Sequence, residues 1–171
     1  MLKLWLKVFA VVLLMALAGL LWRKWNQGAP RRDSLATLQT FCTAVNSNQR
    51  AELLTMVAMP QAVQGRTAPE QAEFLSKALQ DEISPEGLAV LRRDGQFGSL
   101  TNLFPHEAAQ WASQAGVKPE DCVAFKLERN GTRAEVVLAL DSPLPNPHPL
   151  FRIVRCNNVK QMAGEKISIT N

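Results

Sequence analysis

The hydrophobic pattern of this chain falls into three regimes: an unbroken apolar run at the start, helical spacing through the middle and strict alternation towards the end. From Val8 to Trp22 no charged or strongly polar side chain interrupts the run, and it reaches back through Leu6, Trp5 and Leu4 past Lys7 alone. Lys7 can reach the headgroups of a bilayer with its ammonium. Trp5 and Trp22 are seventeen residues apart, about 25 Å along a helix, close to the thickness of a hydrocarbon core. Each indole then meets an interface, where Trp is favoured, and Trp25 lies beyond the far end. The pattern predicts a membrane anchor over 1–25, marked by Trp5, Val8, Trp22 and Trp25. Two alternatives compete with it. Lys3 and Lys7 before an apolar run ending in Ala16-Leu17-Ala18 also fit a cleaved secretory signal, and a buried helix is the third reading.

Residues 26–33 are polar and read as a short linker. From Ser34 the period becomes helical, with Leu35, Leu38, Phe41, Cys42 and Val45 on one face behind a Ser cap. Asn46-Ser-Asn48 breaks it, and Gln49 to Ala58 resumes with Leu53, Leu54 and Val57. Thr67-Ala-Pro-Glu70 has the spacing of a capping box, so a helix is expected through Phe74, Leu75, Ala78 and Leu79. Ser84-Pro85-Glu86 starts another, which Asp94-Gly95 stops. Residues 96–104 read as a loop, and Pro105 to Ala115 as a further helix around Ala108, Trp111 and Ala112.

The stretch from Cys122 to Leu140 alternates on both sides of Asn130-Gly131, a strong hairpin signal. A two-residue turn sets the register: Leu127 faces Ala134, Phe125 faces Val136 and Val123 faces Leu138. On the other face Glu128 meets Arg133 and Lys126 meets Glu135, as a half-buried antiparallel pair with a solvated charged face requires. Prolines at 143, 145, 147 and 149 make a stiff connection without a P-x-x-P motif. Leu150 to Cys156 reads as a third strand, and Lys166 to Thr170 as an edge strand or tail.

Charge location changes what the basic pI of about 9.2 means. Six of the nineteen basic side chains and none of the fifteen acidic ones lie in residues 1–32, which leaves thirteen basic against fifteen acidic beyond them. The excess belongs to the membrane-flanking segment, and a nucleic-acid partner is not expected. Basic residues on the C side of the apolar run favour a cytoplasmic domain, whereas the very short N-terminal tail is the layout of an exported signal-anchor. The reading adopted is an extracytoplasmic domain.

The chemistry-bearing residues are sparse. Cys42, Cys122 and Cys156 lack the close spacing of a structural zinc site, so no metal ligand set is expected. In an exported domain they allow one disulfide and one free thiol, with Cys122 and Cys156 the candidate pair; in a cytoplasmic one they are buried thiols. His106 and His148 read as exposed polar residues, Gly95-Gln-Phe-Gly98 lacks the flanks of a phosphate loop, and Asn130-Gly-Thr132 is accounted for by the turn. No cofactor and no catalytic residue is assigned.

The run Leu38-x-x-Phe41-x-x-Ala44-Val45-Asn-Ser-Asn-Gln-x-Ala51-x-Leu53-Leu54, followed later by an antiparallel sheet, resembles the opening of small domains of the nuclear-transport-factor-two-like superfamily. The likeness covers roughly residues 34–60 and, in element order, 121–156. It implies an α+β cone with a pocket or a pairing surface. The chain has no tyrosine, so the Tyr-dependent isomerase chemistry of some members is not carried over.

The whole predicts an α+β protein: an N-terminal transmembrane helix, a linker over 26–33, and a single domain, 34–171, of several helices on a small antiparallel sheet built on the 122–140 hairpin. The expected partners are the bilayer and a protein, another molecule or a second copy. A small-molecule or lipid-binding cone and a secreted protein with a cleaved signal are the alternatives.

Overall fold

A computed structural model describes residues 2–59, 63–141 and 150–163, with side chains for 13–19 and from Ala29 onward, Arg50 excepted. The elements run α1 (Leu2–Asn46), α2 (Arg50–Met56), α3 (Ala68–Gln80), α4 (Pro85–Asp94), β1 (Gln96–Ser99), α5 (Leu100–Leu103), α6 (Ala108–Gln114), β2 (Cys122–Arg129), β3 (Thr132–Leu140) and β4 (Phe151–Asn157). The chain is α+β, and its four strands form one antiparallel sheet in the order β1-β2-β3-β4. It divides into two compact units, Met1–Arg32 and Asp33–Asn171. Among the described residues no helix is long and apolar enough to cross a membrane. The expected linker is a correction: α1 is helical through 26–33 with Pro30 inside it, and Ser34, expected as a cap, is a fully buried helical residue.

The helix boundaries of the second unit follow from local chemistry. Thr67 N–H donates to Glu70 Oε2 at 2.9 Å and Thr67 Oγ1 to the same oxygen at 2.8 Å, which uses a free end of α3. These bonds, the hydroxyl's first, hold the Glu70 carboxyl below its ordinary range. Ser84 Oγ accepts from Gly87 N–H at 3.1 Å and Pro85 occupies the first turn of α4, where its missing N–H costs nothing.

The hairpin has the register read from its alternation, with Leu127 opposite Ala134, Phe125 opposite Val136 and Glu128 opposite Arg133. Asn130 and Gly131 both have positive φ, 47° and 77°, as the tight turn needs. Phe125, Leu127, Val136, Leu138 and Ile153 pack on Leu38, Phe41 and Val45 of α1 and on Leu53, Leu75 and Leu91 from the next three helices. Burying each large side chain of this core contributes about 1.5 to 3 kcal/mol.

Two expectations fail here. Residues 96–103 are not a loop: β1 pairs with β2, Phe97 opposite Phe125 with ring centroids 5.0 Å apart, and α5 follows at once. A four-residue strand containing Gly98 is too short for alternation to register. The second sheet face is not solvated along its length either. Ala124, Val137 and Ala139 lie under Leu100, Phe104, Ala108 and Trp111 of the α5–α6 segment. The sheet is therefore covered on both sides. The outer edge of β4 is partly closed as well, by Ala58 N–H donating to Ile153 O at 2.8 Å, which blunts an otherwise open row of strand donors and acceptors.

Beyond β4 the chain turns back onto α4. Asn158, at φ 57°, donates its N–H to Glu82 Oε2 at 2.5 Å, and Lys160 N–H donates to Glu82 O at 2.8 Å. Gly87 allows this approach: a Cβ there would stand 2.0 Å from Val159 O. The proline-rich segment 142–149 and the candidate edge strand at 166–170 lie outside the described residues.

Candidate functional site

Two features of the second unit are candidates. The first is an open trough of about 600 Å³ between α1 and α4, within the roughly 300 to 1,000 Å³ of ligand pockets. Leu35, Gln39, Cys42 and Asn46 form one wall, a single stripe of α1 at helical spacing; Leu88, Arg92 and Arg93 lie on the other. Its floor is apolar: Cys42 is 3% exposed and Leu88 6%. Arg93 holds Asp94 with two bonds, 2.8 and 2.9 Å, at the solvent side. The resulting surface is an apolar channel with guanidinium groups at the C-terminal end of α4.

The second is a cluster of charges and aromatic rings at the open end of the outer sheet face. It depends on a register shift between Val137 and Leu138, where Arg155 pairs with Val137 and Ile153 with Leu138. One extra residue on β4 places Val154 and Arg155 both towards α6 and turns Cys156 back to the inner core. Arg155 then lies over Trp111, 4.9 Å from the ring centroid, and donates to Glu135 Oε1 at 2.5 Å. Arg133 Nε stands 3.0 Å from Glu135 Oε2 without an aligned hydrogen bond, and its Nη1 donates to Glu107 Oε1 at 3.3 Å. Arg133 and Lys126 both stack on Phe104, at 5.6 and 5.7 Å.

Glu135, read from the sequence as a solvated partner of Lys126, is 1% exposed and bridges two arginines instead. Its carboxylate ties β3 to β4, and Arg133 with Glu107 ties β3 to the start of α6. Each cation also covers an aromatic ring, so charge pairing and cation–π attraction act on the same side chains. This arrangement clamps the α5–α6 segment to the sheet and holds its cations in fixed positions.

The thiols do not form the predicted pair. Cys122 packs with the α5–α6 side of the sheet and donates to Lys118 O at 3.4 Å, whereas Cys156 packs with the helix-covered side near Cys42. They lie on opposite faces, and all three cysteines are free. Burial pushes the Cys122 thiol up to about 11, helped by Asp121 and Glu120, and the Cys156 thiol up to about 12, helped by Glu82. Burial also raises Cys42. At neutral pH these groups are protonated and behave as small hydrophobes.

Of the other predicted positions, Trp5, Val8, Trp22 and Trp25 fall within the helical backbone of α1, their side chains outside the described residues. His106 is exposed in the turn before α6, and His148 lies outside the described residues. Among the described residues no group of three or more His, Cys, Asp or Glu is arranged to hold a metal ion. No protein-family model, curated protein or solved structure matches the chain at a significant level.

The trough has only a slight signal in the sequence. Leu35 and Cys42 share the helical spacing of Leu38, Phe41 and Val45, yet they sit at the flank of that face, and the apolar arc of α1 is wider than the sheet alone can cover. Of the Glu135 cluster the alternation places Lys126, Arg133 and Glu135 on one face, but not Arg155, which reaches it only through the one-residue shift in β4.

Proposed function

We propose that this chain is a single-pass membrane protein whose domain, residues 34–171, lies outside the cytoplasm and works by binding protein. The observation that carries the anchor is the run Leu13 to Gly19, exposed on every side of its helix: Leu13 is 52% exposed, Leu14 65%, Met15 72% and Leu17 48%. Seven consecutive residues pass through nearly two full turns, so no single face of a soluble partner covers them all, and an all-round apolar helix suits a lipid surround. The apolar sequence on either side extends the run to Val8 and Trp22.

Binding at a surface is favoured over a cone-type interior pocket by how the inner sheet face is filled. Leu38, Phe41, Phe125 and Leu138 are fully buried against one another where such a pocket would open. Among the described residues, the exposed trough between α1 and α4 is an apolar surface available to a partner.

The test is extraction of native membranes at high pH together with a C-terminal reporter active only outside the cytoplasm. The protein should stay in the membrane pellet at its full-length mass, and the reporter should be active. Release into the supernatant, or a mass lacking about the first eighteen residues, would overturn the anchor in favour of a cleaved signal. A silent reporter on a membrane-retained chain would reverse the orientation.

A further inference from the structure

We draw no further inference here: the strongest candidate, the open apolar trough between α1 and α4 lined by Leu35, Cys42 and Leu88, carries none because nothing in the structure shows what covers it.

Discussion

Replacing Glu135 by Gln keeps the shape of the side chain and removes its charge, leaving Arg133 and Arg155 facing each other across the sheet. The native carboxylate is 1% exposed, while the two guanidinium side chains are 41% and 39% exposed. At an effective dielectric of about 20, each pair contributes roughly 4 kcal/mol of gross attraction at about 4 Å between charge centres. Desolvating the carboxylate offsets several kcal/mol of that, so the intact cluster is worth little net. Breaking it is different, because two half-exposed like charges remain side by side, and of these only Arg133 keeps a carboxylate partner, Glu107. Removing one partner of a buried pair typically costs about 3 to 5 kcal/mol, and the solvent reaching both arginines lowers this to about 2 to 4. With an m value of about 1 to 3 kcal/mol per molar urea, the midpoint should fall by about 1 to 2 M. Urea unfolding of the full chain, followed by circular dichroism, measures this, and Arg155→Met should rescue part of the loss in the Glu135→Gln background. A loss below about 1 kcal/mol, or strictly additive effects of the two substitutions, would refute the view of Glu135 as the charge that holds these arginines.

Two further predictions follow from particular contacts. Gly87→Ala places a Cβ 2.0 Å from the backbone oxygen of Val159; since backbone and not a pliant side chain is in the way, the turn after β4 must move, and a loss of about 1 to 3 kcal/mol is expected in the same unfolding assay. The raised Cys122 and Cys156 thiols, about 11 and about 12 against 9.0 unfolded, make stability fall with alkali. Below pH 9 both states keep the protons and this stability is fully present. Above it the unfolded chain loses protons that the folded chain retains, so the midpoint should decline from pH 9 towards 11. Replacing Cys122 and Cys156 by Ala should flatten that decline.

Legibility in the sequence tracked how local the determining interaction is. The hairpin register and the starts of α3 and α4 depend on residues within a few positions of one another, at Asn130-Gly131, Thr67 to Glu70 and Ser84 to Gly87, and these were readable. The coverage of the outer sheet face was not, because Ala124 and Val137 are buried by Trp111 and Phe104, whose position depends on the unexpected pairing of β1 with β2. The placement of Cys156 and Arg155 was beyond alternation for the same kind of reason. An inserted residue in β4 reverses the facing of everything after it, and no period in the sequence marks where it falls. The trough at Leu35 and Cys42 lies between these cases, visible as apolar surplus on α1 but not as a surface until α4 is in place.

The position of β4 in the chain gives the fold a time order. Leu38, Phe41 and Val45 are made early, yet Phe151 and Ile153, which close the core against them, come more than a hundred residues later. At about 5 to 20 residues per second, some 6 to 23 s of synthesis separate Ser34 from Phe151. Throughout that interval the apolar face of α1 lacks its last covering strand and is exposed to chaperones and proteases. A chain ending before Phe151 keeps this face of α1 without the strand that closes it, so the helix with which the domain begins depends for its cover on a strand made far later.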